Sequence, residues 1–485
     1  MNNASMQTMV KAVLVLVFVL TALSAAAQEE AIELRIANAI ETALLQNLGL
    51  RLSREDVMQA EGEALSAEGT FDYQLSADIG ATGTDQDPMT STDSTSESSA
   101  SWNLGVQKLF TPGTEVSLSW ENGNFDTDVD YYSFTPIYSS ELTLGISQPL
   151  LKGFGTDVQL ADLNSARTQL EASSYLVDSD AADLAARVKQ AYWELVYAHQ
   201  NLKVLHVSLE LAEKLRAETE TRINAGKLAA IDLYQPESEI AQREQDLIAG
   251  EQAIGVAEDN LKLLMNSEDW LIPLNPVDEP GTDPVEPVIS EVYAEALKNR
   301  PDLQAASLQI KSLEYQLKKS DNNRKPSLDL LGSLGVGSRE EDYSTALGDS
   351  FSDSETQWQI GLSFSRPLDN SLAEGRYRQT LASHRKSQTN LEQLKQEIRR
   401  SVRSTVRDVE LTIKAIEATR KTSIATGKRL EAEQIKFDAG RSTTLDVLIA
   451  QQDYARALSA EHRSKILYVQ ALSELDRIQG KISIP

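Results

Sequence analysis

The chain contains no cysteine and only four histidines, and aromatics make up just 6% of its 485 residues. The missing cysteine excludes disulfides, thiolate metal sites, cysteine nucleophiles and any lipid carried on an N-terminal Cys. Basic residues are also scarce: 46 Lys+Arg stand against 73 Asp+Glu, a formal charge of −27. Nucleic-acid binding needs clustered Lys and Arg to release counterions, so that class is excluded. Beyond the first 27 residues no stretch approaches 18 consecutive apolar residues, so no transmembrane helix is expected there. There is no Gly-rich phosphate loop, nucleophile elbow or carboxylate dyad. His199 and His206 lie seven apart on one helix face with no carboxylate at ligand spacing. No metal site, no cofactor and no enzymatic activity are expected.

What is present begins at the N-terminus. Lys11 precedes an apolar run from Ala12 to Leu23, followed by Ser24-Ala25-Ala26-Ala27. A basic start, a short apolar stretch and a small-residue end predict a secretory signal peptide over 1–27. A short membrane anchor is the alternative, for which the run is too short to span comfortably. The product is therefore exported, either soluble or as a β-barrel.

The chain also repeats itself. Arg222-Ile223-Asn224-Ala225-Gly226, followed by Asp232-Leu233, reads like Lys436-Phe437-Asp438-Ala439-Gly440, followed by Asp446-Val447, 214 positions on. Leu144 to Leu150 echoes Leu362 to Leu368, and Ala43-Leu44 with Leu50 echoes Ala296-Leu297 with Leu303. The period is too long for a solenoid, so this is an internal duplication. A Pro-rich joint from Trp270 to Val288, holding Pro273, Pro276, Pro280, Pro284 and Pro287, separates the copies.

Each copy predicts a long helical hairpin. Thr156 to Asn224 contains neither Pro nor Gly, enough for a rod of about 100 Å at the helical rise of about 1.5 Å per residue. Leu195, Leu202 and Leu209 recur every seven residues, with Ala198, Leu205 and Ala212 at the alternate positions. Ile240, Leu247, Ile254 and Leu261 continue the pattern, and Val402, Val409 and Ile416 do so in the second copy. A 3.5-residue apolar period predicts long helices wrapped on each other. Ala225-Gly226 and Ala439-Gly440 end the outgoing helices, and Asp232 and Asp446 stand at or near the start of the returning ones, where the helix dipole favours an acid.

Between the helices the period changes to two. Phe71, Tyr73, Leu75, Ala77 and Ile79 alternate with polar residues, as do Trp102–Val106, Val116–Trp120 and Leu142–Ile146. The second copy adds Leu328–Val336 and Trp358–Phe364. Such strands suit a half-buried soluble sheet or an outer-membrane barrel; six of them behind a signal peptide favour the barrel, with Trp102, Trp120 and Trp358 as interfacial aromatics. Asp85–Ser101 and Arg339–Thr356 are rich in Ser, Thr, Asp and Glu, as extracellular loops are. Four or six strands cannot close a membrane barrel alone, so copies of the chain must complete it.

From about Leu34 to Gly480 the chain resembles the TolC family of outer-membrane efflux and secretion ducts. Gln148-Pro149-Leu150-Leu151-Lys152-Gly153-Phe154-Gly155, Ala191-Tyr192-Trp193-Glu194-Leu195, Asn299-Arg300-Pro301-Asp302-Leu303 and both Ala-Gly-x5-Asp tips carry the resemblance. It implies an α+β membrane protein: a homotrimer with a β-barrel in the outer membrane, four strands per chain, continued by a long α-helical coiled-coil tube in the periplasm. It implies tips that dock a periplasmic adaptor (membrane fusion) protein, and through it an inner-membrane pump or ABC exporter. Asp446 and Asp232 match the family's aperture acids, which favour cations and can bind blocking metal cations. Ala225, Gly226, Lys227, Ala439, Gly440 and Arg441 are the adaptor-docking candidates.

The chain departs from the family pattern at several points. The family's second aperture acid is Ile449 here, and its gating Arg is Ser442, with Arg441 adjacent; a pair between Arg441 and Asp232 is one way to latch the aperture. Asn47 is followed by Leu48 where the family places Pro. The first copy has four candidate strands where the family has two, with an inserted hairpin at 102–120 that either widens the barrel or extends the sheet beyond the membrane.

The expected organisation is thus periplasmic helices at 28–70, barrel strands at 71–149, a helical hairpin at 150–268 with its tip near 225–232, and the joint at 269–290. Helices at 291–325, strands at 326–368 and a hairpin at 369–480 with its tip near 439–446 follow. The expected function is a passive outer-membrane exit duct for efflux or type I secretion. The alternative is an exported coiled-coil structural or adhesin-type protein without channel activity, which would explain the heptads but not the strands or the duplication.

Overall fold

The structure, a computed structural model, describes residues 31–87, 90, 93–129 and 132–481. The signal-peptide reading of 1–27 lies outside the described residues. In chain order the elements are β1 (Ile32–Leu34), α1 (Ile36–Gln46), α2 (Leu48–Glu68), β2 (Gln74–Asp85), β3 (Ser96–Leu109), β4 (Glu115–Thr127) and β5 (Ile137–Pro149). Then come α3 (Ala161–Asn224), α4 (Tyr234–Met265), β6 (Leu274–Pro276), α5 (Ile289–Asn299), α6 (Pro301–Asn322) and β7 (Ser327–Glu340). The last are α7 (Tyr343–Ser352), β8 (Glu355–Ser365), α8 (Ser371–Asp438) and α9 (Thr444–Ile478). The chain forms two compact units: one from the described parts of Met1–Ser53, Val177–Pro301 and Lys395–Pro485, the other from Arg54–Leu176 and Asp302–Leu394.

The first unit is helical. Free of Pro and Gly, α3 runs for 64 residues; α8, free of Pro but holding Gly375 and Gly427, runs for 68. Of their sevenfold apolar positions, Leu195, Ala198 and Ala212 on α3 and Val402, Val409 and Ile416 on α8 are buried, and Leu202, Leu205 and Leu209 are half-buried. Gly250 of α4 shows why the seam needs a small residue. A Cβ there would stand 2.8 Å from a Leu205 methyl and 3.1 Å from one of Leu202. The two copies open their second helix differently. Pro301 begins α6 at a position where its missing N–H costs nothing. Asn47 instead accepts from Leu50 N–H at 3.1 Å while its amide donates to Leu264 O at 2.8 Å, which replaces the absent Pro with a side-chain cap.

The core of this unit gathers Ala39, Ile40 and Ala43 of α1, Val188, Tyr192 and Leu195 of α3, Leu261 of α4 and Ile466 of α9. Tyr192 is its polar hub. The hydroxyl lies 2.9 Å from Leu34 O and 2.7 Å from Asp278 Oδ2, which also accepts from Ile36 N–H at 2.7 Å. Burial, and then the Asp278 carboxylate, push the phenol well above its ordinary value, so it remains a donor. The Pro-rich segment is more structured than its composition suggests: β6 pairs in parallel with β1, Ile32 opposite Leu274. Trp270 contributes its backbone rather than packing its ring. Its carbonyl accepts from the buried Lys262 ammonium at 2.8 Å, while the residue is 48% exposed.

The second unit is built on one antiparallel sheet in the order β2-β3-β4-β5-β7-β8. Its register sorts the side chains. Leu75, Val106, Leu118, Leu144, Leu334 and Trp358 stand opposite one another in a single row. The adjacent row is Ser76, Gly105, Ser119, Thr143, Gly335 and Gln357, on the other face. The apolar face is open: Ile79 is 90% exposed and Leu362 68%.

Three expectations need correction here. The hairpin is longer than 102–120, because β3 starts at Ser96 and β4 runs to Thr127. Its extensions carry Ser, Glu, Asn and Asp, and are held by the backbone ladder rather than by an apolar pattern. The Asp85–Ser101 loop is correspondingly shorter. The Arg339–Thr356 loop contains a helix, α7, whose N-cap Asp342 accepts from Ser344 and Thr345 N–H at 3.0 and 3.2 Å. It packs on the ends of β5 and β7, where Ser350 donates to Ser140 O at 2.8 Å and Ser338 to Ala346 O at 2.6 Å.

Tyr192→Phe removes the hydroxyl shared by Leu34 O and Asp278 Oδ2 and takes away the acceptor of Asp278 N–H, at a cost of about 1–3 kcal/mol. Thermal melting of the helical signal should shift downwards; an unchanged melt would show that the hub contributes nothing.

Candidate functional site at the helical tips

The ends of the two helical hairpins are built alike and lie in the same unit. Gly226 and Gly440 have φ of 69° and 71°, a left-handed conformation that glycine adopts without strain. Gly226 N–H donates to Ile223 O and Lys227 N–H to Arg222 O, both at 2.8 Å; Gly440 and Arg441 repeat this with Phe437 O at 2.9 Å and Lys436 O at 2.8 Å. These paired bonds satisfy the last carbonyls of α3 and α8 and reverse the chain within two residues. Ala225, Gly226, Lys227, Ala439, Gly440 and Arg441 are all exposed.

The acids that follow differ. Asp446 closes a reciprocal cap on α9: Thr443 Oγ1 accepts from Asp446 N–H at 3.2 Å, and Asp446 Oδ2 accepts from Thr443 N–H at 3.2 Å and its hydroxyl at 2.6 Å. In the first copy Ala229 stands where the second has Thr443, so half of the cap is missing. Asp232 lies in a short 3-10 turn, Ala230–Leu233, and among the described residues accepts only from Ala229 N–H, at 3.0 Å. The Thr443 hydroxyl, then its N–H, hold the Asp446 carboxyl below its ordinary value of 3.8. Ser442 donates to Glu433 Oε2 at 2.9 Å, and Lys436 pairs with the same carboxylate at 2.7 Å. Among the described residues Arg441 forms no ion pair, so the suggested pair with Asp232 is not made within the chain.

The contact that does join the tips is Arg222, which sequence reasoning missed. Its guanidinium donates to Phe437 O at 2.6 Å and to Asp438 Oδ1 at 3.1 Å, and lies 4.0 Å over the buried Phe437 ring. Leu215, Phe437, Val447 and Leu448 form a small core beneath it. A cation in the last turn of α3, aligned with Lys436 in the repeat, was the available signal. Farther from the tips the buried Arg243 of α4 pairs with Glu239 at 3.1 Å, donates to Ser208 O of α3 and reaches Gln451 of α9 at 3.2 Å. Its Nη2 has no partner among the described residues. Arg243, Gly250 and Ala257 share the sevenfold seam, and a charge in that row was the legible sign. Between α3, α8 and α9 an open groove of about 660 Å³ is lined by Leu215, Ile424, Ile435 and Tyr454, with Lys214 and Glu431 at hand.

On the sheet, Trp102 and Trp120 pack edge to face at 4.9 Å, and Trp120 Nε1 donates to Ser140 Oγ at 3.1 Å. Trp358 is 74% exposed on the same apolar face.

These features now meet the comparisons. The profile of the outer membrane efflux protein family matches residues 112–267 and 292–481, one segment in each copy. The chain belongs to that family. It is an outer-membrane efflux channel of the TolC type, internally duplicated, with a β-barrel and a helical tube, and as a passive channel it is not an enzyme. No curated protein matches the chain in a sequence search. Among solved structures, the outer-membrane channel OprN superposes with a TM-score of 0.71 at 17% identity, covering 93% of this chain and 91% of that one. VceC from Vibrio cholerae gives 0.67 at 16%, covering 92% and 96%. The open state of MtrE from Neisseria gonorrhoeae gives 0.65 at 19%, covering 92% and 89%. At these identities the likeness is one of fold.

Thr443→Ala should raise amide exchange at the start of α9 about fivefold, the usual effect of losing an N-cap hydroxyl. Ala229→Thr should slow exchange around Asp232. Equal exchange in both variants and the parent would dismiss the asymmetry. Because the Asp446 pKa is depressed in the fold, its contribution is complete above 3.8 and is lost as pH falls through the lower folded value. Protection of the α9 N-terminus should therefore decline only in that acid range, and a decline centred near neutral pH would contradict the assignment.

Proposed function

We propose that three copies of the chain form a passive exit duct, with the sheets completing a barrel in the outer membrane and the helical hairpins forming a tube through the periplasm. The observation that carries this reading is the open apolar face of the six-stranded sheet. A soluble chain would cover such a face; lipid covers it at no cost. Exposed Ile248 and Leu263 on α4 and Ile424 and Ile435 on α8 supply apolar surface for neighbouring copies along the tube.

Asp232 and Asp446 act as rings of acid at the periplasmic aperture, drawing cations and binding blocking metal cations. Arg441 and Ser442 stand beside them, and Arg222 keeps the two tips of each chain together. The exposed turns Ala225-Gly226-Lys227 and Ala439-Gly440-Arg441 dock a periplasmic adaptor, which links the duct to an inner-membrane pump or ABC exporter. Trp102, Trp120 and Trp358 mark the membrane interface. The cargo passes by efflux or by type I secretion, and its selection lies with the pump.

Cell fractionation should recover the chain in the outer membrane as a heat-modifiable trimer; a soluble periplasmic monomer would favour the exported coiled-coil alternative. In planar bilayers the double variant Asp232→Ala, Asp446→Ala should lose most cation selectivity and divalent block. Unchanged selectivity and block would remove both acids from the aperture.

A further inference from the structure

The β3–β4 hairpin is a full part of the sheet rather than an appendage on it. β3 pairs with β2 over Gln74–Asp85 and with β4 down to Glu115, so the hairpin lies between the strand that opens the first copy's sheet and β5. Both its strands carry the same sorting of faces as the rest. Leu104 and Val106 of β3 and Leu118 of β4 stand in rows with Ala77, Leu75, Leu142, Leu144 and Leu334, while Val116 stands between Lys108 and Ile146.

The aromatic residues give each strand a height. On β3, Trp102 and Phe110, one residue past the strand's end, bracket Leu104, Val106 and Lys108, whose ammonium lies 3.8 Å over the Tyr73 ring; on β8, Trp358 and Phe364 bracket Ile360 and Leu362. The bracket on β3 is eight residues long, about 21 Å along the membrane normal at the usual strand tilt of about 40°, close to the apolar band of an outer-membrane barrel. Trp102 stands two same-face rows from Trp358 and four strands away from it. In strands so tilted, two rows amount to about 10 Å along the normal and four strands to about 12 Å. Where the tilt carries the rows upward from β3 to β8, the two displacements nearly cancel and the indoles of Trp102 and Trp358 stand at one level.

The sheet edges are open. β2 is 12 residues long and β8 is 11, and neither contains Pro, Lys or Arg, the residues that usually blunt an edge. With six antiparallel strands, β2 and β8 run in opposite directions. The β8 edge of one copy therefore presents an antiparallel partner to β2 of another, with apolar side chains on one common face.

We propose that the β3–β4 hairpin crosses the outer membrane, so that each copy contributes six strands and the β8 edge of one copy pairs with β2 of the next to close an 18-stranded barrel. This rests on the trimeric duct reading and departs from the four strands per chain that the TolC resemblance implies. Barrel diameter grows with strand number, so the wall-to-wall width rises from about 24 Å for 12 strands to about 36 Å for 18. The extracellular exit of this duct is wide enough for bulkier cargo than a 12-stranded exit passes.

The absence of cysteine makes the test direct. Single-cysteine variants Leu104→Cys, Leu118→Cys, Leu144→Cys and Leu362→Cys of the full chain are labelled with a fluorophore and reconstituted with brominated lipids. Similar quenching at all four positions is expected. Quenching at 144 and 362 but not at 104 and 118 would place the hairpin outside the bilayer and overturn the proposal while leaving the duct intact. Quenching at none of them would overturn the membrane reading itself. Double variants pairing Ile79→Cys with Trp358→Cys, Ile360→Cys or Leu362→Cys should yield covalent trimers at one register on oxidation; no intermolecular cross-link at any register would refute the edge pairing.

Discussion

In hydrocarbon a backbone N–H or C=O without a partner costs several kcal/mol, and a sheet escapes that cost only by having no edge. The six strands of this chain satisfy one another internally and leave two edges, β2 and β8, that a single copy cannot close. The sorting of side chains follows from the same constraint. In the central rows, such as Leu75 to Trp358, the apolar side chains take one face, and Ser76 to Gln357 in the adjacent row take the other. No helix among the described residues is long and apolar enough to cross a membrane.

The helical unit answers a different demand, for long rods whose exposed surfaces pack against others. Its seams bury small residues such as Ala198, Ala212 and Gly250 where helices approach closely. The polar anchors are few and specific. Tyr192 joins α3 to β1 and the Pro-rich segment, Arg243 joins α4 to α3 and α9, and Arg222 joins the two tips. A guanidinium suits the last two positions because it spreads several donors over separate acceptors, and that of Arg222 also stacks on the Phe437 ring.

Much of this could be read from the residues alone. The alternation through Leu75, Ala77 and Ile79, and its equivalents, revealed six strands because one face is uniformly apolar. The duplicated Ala-Gly tips and the sevenfold leucines revealed the hairpins. The polar ends of β3 and β4 escaped notice because Ser96 to Ser101 has no apolar period; the backbone ladder and polar contacts such as Ser99 with Thr82 and Ser96 with Asp85 hold it. Helix α7 was hidden by Ser, Asp and Gly, although Asp342 before Ser344 was a readable N-cap. The three-residue pairing of β1 with β6 is too short to leave a pattern. At the tips, the sequence pointed to the acids but not to the asymmetry of their caps, which turns on Ala229 against Thr443. Within the chain the two tips are joined by Arg222, which the residues alone did not single out, since proximity across 215 residues is a property of packing.

The central claim is that this chain, with no energy source and no other protein, makes a water-filled path through an outer membrane. The most direct measurement is the current across a planar lipid bilayer after addition of the purified, detergent-solubilised chain. The account expects discrete, uniform conductance steps with a preference for cations. Bilayers that take up the trimer yet show no conductance at any applied voltage would contradict it.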